Sequence, residues 1–168
     1  MKIGRISLLL GAAVVLEFFV GRSPYRAFLP VDWFLLATAT VARGGDFVRT
    51  VATGAAAGAL EDAVLSLPLI GMNAFAKAVI GYALTLVSVR VVFGGALAVG
   101  AALAVASLAN DAIVGLLSAL LSQSPIILVS RDALLRAVAT GVAGGALESA
   151  WDFPWGEWRQ RRLLRRLR

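Results

Sequence analysis

The 168-residue chain contains no cysteine and no histidine. The first absence excludes disulfides and thiol chemistry, and the second excludes histidine acid–base catalysis. Together they remove Cys/His zinc sites. The compartment stays undecided on this point, because a protein held in a bilayer needs no disulfide staples. Charge is scarce as well. Asp, Glu, Lys and Arg make up 15% of the residues, where soluble domains carry about 25%. No Gly-rich phosphate loop is present, since GAAAG and GVAGG lie inside apolar segments and lack the following lysine. No nucleophile–base arrangement occurs either. These exclusions point to a non-enzymatic protein without cofactor or metal.

What is abundant is apolar surface, at 60% of residues with a mean hydropathy of +0.85. Residues 1–168 read as a single transmembrane domain, with no room for a soluble catalytic module. The net charge of +6 is concentrated in a basic tail, residues 156–168, with arginines at 159, 161, 162, 165, 166 and 168. Such a run suggests nucleic acid in a soluble protein. In a chain this apolar it reads as a cytoplasmic anchor beside anionic headgroups, with no nucleic-acid partner. At the other terminus, Lys2 and Arg5 precede an apolar run in the manner of a signal peptide. Gly21-Arg22-Ser23-Pro24 offers no small-x-small cleavage site, so Ile3–Val20 reads as an uncleaved first span.

Hydropathy divides the chain into about six spans, giving an all-α integral membrane fold. After Ile3–Val20, which carries Glu17, comes a loop with Arg22, Pro24 and Arg26. The second span, Val31–Ala42, follows Pro30 and has Asp32 and Trp33 at its mouth. Its dozen residues are short against the roughly 20 of a full crossing. Phe47–Leu65 and Gly71–Val89 flank a Leu67-Pro68 break. Val91–Leu121 is long, so it is expected to tilt, protrude or break near Asn110-Asp111. After a loop containing Pro125, with Ile126–Val129 suited to the interface, the sixth span is Ala133–Phe153. Pro154, Trp155 and Trp158 then suit an aromatic belt. With both termini inside, Lys2, Arg5, Arg43, Arg49, Arg90 and the tail arginines face the cytoplasm, and Arg22, Arg26, Arg131 and Arg136 face away. The positive-inside rule therefore predicts a multi-pass protein of the cytoplasmic membrane with both termini cytoplasmic.

Two segments echo each other. Arg49–Ala63, RTVATGAAAGALEDA, and Arg136–Ala150, RAVATGVAGGALESA, share eleven of fifteen positions. The match includes Gly54/Gly141, Gly58/Gly145 and Glu61/Glu148. The spans run in opposite directions, as inverted three-span repeats require, although shared Ala/Gly/Val composition also produces likeness. Each glycine pair is a small-xxx-small motif that lets helix backbones approach closely. Gly54, Gly58, Gly141 and Gly145 are thus candidates for helix packing or partner binding, and spans three and six are expected to cross face to face.

The polar residues kept inside apolar segments are Glu61, Asp62, Asn73, Lys77, Asp111, Glu148 and Asp152. Carboxylates at a helix centre are costly, about 2.5–3.5 kcal/mol on insertion scales. Structural pairing with Lys77, Arg90 or Arg136 is the leading reading. A proton or cation path and a small-molecule or partner site are the alternatives. Glu61 and Asp62 diverge by about 100° on a helix and do not face one substrate atom together. Asn73 reads as an N-cap, and Lys77 as a residue that snorkels or pairs with Asp62. Asp62, with Ser149 opposite it in the echo, is the residue expected to act beyond packing.

The chain resembles the rod shape-determining MreD family over nearly its whole length. The resemblance rests on the basic start, on Pro30-Val31-Asp32-Trp33, and on Gly54, Gly58, Leu60 and Asp62. Pro68, Leu69, Gly71, Asn73 and Ala74 follow, then Gly81-Tyr82 and the basic tail. The resemblance implies a scaffold subunit of the bacterial cell-wall elongation machinery that binds an MreC-like bitopic partner. RodA, a penicillin-binding transpeptidase and MreB filaments would lie nearby. It also implies a six-helix fold like that of energy-coupling-factor transporter S components. The reading from a different class is a small membrane transporter or solute-binding subunit using the intramembrane carboxylates.

Overall fold

The computed structural model describes residues 3–21, 30–64, 70–90, 95–122 and 130–152. Among these residues all regular structure is helical. The elements are α1 (Ile3–Gly21), α2 (Trp33–Ala42), α3 (Phe47–Val64), α4 (Met72–Arg90), α5 (Ala96–Ser122) and α6 (Arg131–Asp152). The all-α architecture of six helices follows the hydropathy pattern closely. By length and composition, Met72–Arg90 and Ala96–Leu121 are long and apolar enough to cross a membrane. The Arg22–Arg26 loop, the Leu67-Pro68 break, the Pro125 loop with Ile126–Val129, the Trp155/Trp158 belt and the basic tail lie outside the described residues.

The shortest helix is the centre of the fold. Ten residues are too few for a stable isolated helix in water, and α2 is held by its surroundings. Asp32 caps its start, Oδ1 accepting the Leu35 N–H at 2.8 Å, an interaction of about 0.5–2 kcal/mol. Every other helix touches it. Phe34 and Ala37 pack with Ala13 of α1 and Ala57 of α3. Leu36 meets Leu103 of α5 and Ala139 and Ala143 of α6. Leu35 meets Ile80 of α4 and Ala106 of α5. Thr38 is buried on the same helix, and its hydroxyl donates to the Phe34 carbonyl at 2.9 Å, so that hydroxyl is not stranded.

Two antiparallel hairpins flank this core. In the first, Gly54 and Gly58 of α3 lie against the carbonyls of Lys77 and Asn73 of α4, too close for any Cβ. In the second, a Cβ on Gly141 would sit 2.7 Å from the Gly100 carbonyl, and one on Gly145 2.9 Å from that of Ala96. Backbone-to-backbone approach of this kind is what small-xxx-small motifs provide. The turn into α4 uses Gly71 at φ +107°, a conformation that side chains disfavour.

All four candidate glycines therefore serve intrachain hairpins. The expected crossing of spans three and six does not occur, because α3 and α6 are not in contact. The echo is not a packing symmetry either. In a three-helix repeat α4 would correspond to α1 and α5 to α2, so the two glycine pairs meet non-equivalent neighbours. The fifth helix runs unbroken for 27 residues, about 40 Å. Asn110 does not interrupt it, because its side chain is turned into the bundle and is 1% exposed.

The alternating helix directions sort the charges. Among the described side chains, one end of the bundle carries Arg5, Arg43, Arg49 and Arg90 against Asp46 and Glu148. The other carries Glu17, Asp32, Glu61, Asp62, Asp111 and Asp132 against Lys77, Arg131 and Arg136. The first we call the basic end.

Candidate functional site

Lys77 is the organising residue of the interior. Its side chain is 0% exposed, and Nζ lies 2.6 Å from Asp32 Oδ2 and 2.7 Å from Glu61 Oε2. The ammonium donates an aligned hydrogen bond to Asp32. Glu61 Oε2 receives an ion-pair contact without hydrogen-bond alignment. One cation thus joins the start of α2, the end of α3 and the first turns of α4. Asp32 is tied further, its backbone N–H donating to Thr140 Oγ1 of α6 at 3.0 Å. Lys77 does not snorkel and does not pair with Asp62, because its reach is taken up by two carboxylates inside the bundle.

Asp62 has a separate set of contacts. Oδ1 accepts from Asn73 Nδ2 at 2.8 Å and Oδ2 from the Gly71 N–H at 2.7 Å. Asn73 is therefore not an N-cap; it is the second residue of α4, and its amide reaches back across the hairpin to Asp62. Asp62 itself serves the start of α4, where the helix dipole favours an anion. This is a turn-closing role, and the residue expected to act beyond packing is accounted for by local structure.

The remaining candidates lie apart. Asp111 on α5 sits 3.5 Å from Arg136 of α6, one of the three cations expected to pair the carboxylates. Glu148 pairs with Arg43, which follows α2 at the basic end and is not among the cations expected to pair the carboxylates. Among the described residues, Trp33 Nε1, Ser107 Oγ and Asn110 Oδ1 are buried polar atoms without a hydrogen-bond partner. Asp32 and Thr140 are the members of the site that sequence reasoning passed over. A signal existed for Asp32, an acidic residue directly before the most apolar short segment. Nothing in the sequence marks Thr140, whose role depends on α6 lying beside α2.

A half-open cavity of about 310 Å³ runs beside α2, at the small end of ligand-pocket sizes. Leu9, Leu16, Leu36, Leu103 and Leu147 form much of its wall, and Arg43, Ser88 and Glu148 its polar rim. Its walls come from α1, α2, α4, α5 and α6, and α1 contacts α2 and α3 but neither α5 nor α6. The chemistry within reach is thus of two kinds. The Lys77 cluster is sealed from solvent and acts on helix positions. The cavity is reachable from outside and is suited to an apolar occupant. Compared with family models, with curated proteins and with solved structures, the chain matches none.

Proposed function

We propose that the chain is a membrane-embedded, non-enzymatic scaffold subunit of the rod-shape-determining kind that its Gly54–Ala74 block resembles. All six helices lie in the bilayer, the basic end faces the cytoplasm together with both termini, and a bitopic MreC-like partner docks its transmembrane helix along α1. The charge asymmetry between the two ends supports that orientation. The observation that carries the docking site is the contrast among glycines. Gly54, Gly58, Gly141 and Gly145 are consumed by the hairpins, whereas Gly4 and Gly11 of α1 have nothing within 4 Å of an added Cβ. Gly4, Leu8, Gly11 and Val15 share one exposed face of α1. Small residues on a lipid-facing helix allow another helix to approach.

Co-expression with an MreC-like bitopic protein, followed by co-purification, tests this. Gly11→Leu is expected to release the partner while leaving thermal stability unchanged, since the new side chain enters open space. Full retention of the partner by this variant would overturn the docking site.

The Lys77 cluster favours a second reading, a small transporter or solute-binding subunit that uses its buried carboxylates. That reading requires solute or proton uptake into proteoliposomes that Glu61→Gln abolishes. Uptake no greater than in empty vesicles removes it.

A further inference from the structure

The cavity beside α2 has a polar end and an apolar body. Arg43 at its rim has a side chain that is 44% exposed, with Glu148 (9%) as its ion-pair partner. A guanidinium offers five N–H donors in a rigid fork, so Glu148 anchors one side of the group and leaves donors for a phosphate. Thr40 and Ser88 stand at the same end, their hydroxyls turned to the Ala37 and Ala42 carbonyls at 2.7 and 3.0 Å. From Arg43 the cavity follows α2 back to Trp33, about 15 Å at 1.5 Å per residue, between leucine walls. The rim belongs to the basic end of the bundle, where arginines outnumber carboxylates. Because α1 and the α5–α6 hairpin line the cavity without touching each other, the gap between them is the entry route for a chain that remains attached to a lipid in the bilayer.

We propose that this cavity holds one acyl chain of an anionic phospholipid whose phosphate is bound by Arg43. The inference rests on the membrane location given above and is independent of the α1 docking face. A slot with hydrocarbon walls and one arginine at its polar end, whose guanidinium keeps donors beyond its pair with Glu148, suits a lipid whose phosphate lies at that end. Glu148 then acts as a positioning residue that holds the guanidinium at the rim.

The test uses the full chain with Trp33 as its sole tryptophan (W151F, W155F, W158F), reconstituted into phosphatidylcholine vesicles. Trp33 lines the cavity wall, so acyl chains brominated along their length quench its fluorescence when they enter. Brominated phosphatidylglycerol is expected to quench at about five-fold lower mole fraction than brominated phosphatidylcholine, the preference expected from one arginine near anionic headgroups. Arg43→Gln should remove that preference. Arg90→Gln, which removes the same charge at the same end but does not line the cavity, should keep it. Ala102→Phe, which fills the cavity, should reduce quenching by both lipids. Equal quenching by the two lipids overturns the proposal, and so do equal losses in the Arg43 and Arg90 variants. Relief of quenching by dodecanoate while phosphatidylglycerol stays in excess would assign the cavity to a free fatty acid instead. Failure to float with the vesicles would overturn the membrane reading and this one together, whereas flotation with unselective quenching overturns this one alone.

Discussion

Lys77→Met is the sharpest perturbation of this fold. Methionine fills a similar volume but leaves Asp32 Oδ2 and Glu61 Oε2, now 2.6 and 2.7 Å from the ammonium, as buried carboxylates without a cation. Removing one member of a buried ion pair costs about 3–5 kcal/mol, far more than an exposed pair contributes, because the orphaned charge remains desolvated. For a chain of this size, one kcal/mol moves the unfolding midpoint by about 2–4 °C. Thermal unfolding in detergent micelles should therefore fall by roughly 6–20 °C. Glu61→Gln alone leaves Lys77 with Asp32, its aligned hydrogen bond, and should lose about 1 kcal/mol or less. In the double variant one of the two orphaned charges is gone. The cycle should thus show a favourable coupling of about 0.5–3 kcal/mol. A Lys77→Met midpoint within about 2 °C of the parent, or strict additivity in the cycle, would refute the argument that one ammonium holds α2, α3 and α4 together.

Two further outcomes test the hairpin. Gly58→Leu places side-chain atoms where the Asn73 backbone carbonyl lies; overpacking costs about 1–3 kcal/mol even where neighbours can shift, and backbone cannot shift easily. Loss of a monodisperse peak in detergent gel filtration is expected, and a normal elution profile with normal stability would contradict the close approach. Asp62→Ala removes the acceptor for the Gly71 N–H and for Asn73 Nδ2, with an expected loss of about 1–3 kcal/mol. Adding Asn73→Ala to it should cost less than the sum of the two single changes, read from the same melting curves.

The helices themselves were legible in the sequence because each is an apolar run bounded by glycine, proline or charge. Pairing was legible only where it was local. The Gly54/Gly58 spacing announced a tight helix contact, and the chain's own return through α4 meets it. Glu61 and Lys77 were both singled out, but Asp32, the carboxylate to which Lys77 makes its aligned hydrogen bond, lies 45 positions away. No periodicity links residues at that distance; only the antiparallel arrangement of α2, α3 and α4 does. Asn73 misled for the converse reason. Its position after Gly71 has the look of a cap, and the side chain finds a better acceptor across the hairpin than in its own first turn. Repetition misled as well, since equal sequence at Gly54 and Gly141 meets unequal neighbours.

The separation of Asp32 from its cation also governs how the chain is made. A nascent chain grows by about 5–20 residues per second, so Lys77 leaves the ribosome roughly 2–9 s after Asp32. Thr140, 108 positions downstream, follows later still, after roughly 5–22 s. During that interval Asp32, at the entrance of α2, is without the Lys77 ammonium it pairs with in the folded chain. Its final seat is therefore assigned after α4 has been synthesised, not as α2 emerges. A chain truncated before residue 77 lacks the cation that Asp32 pairs with inside the bundle, and the arrival of that one lysine supplies it.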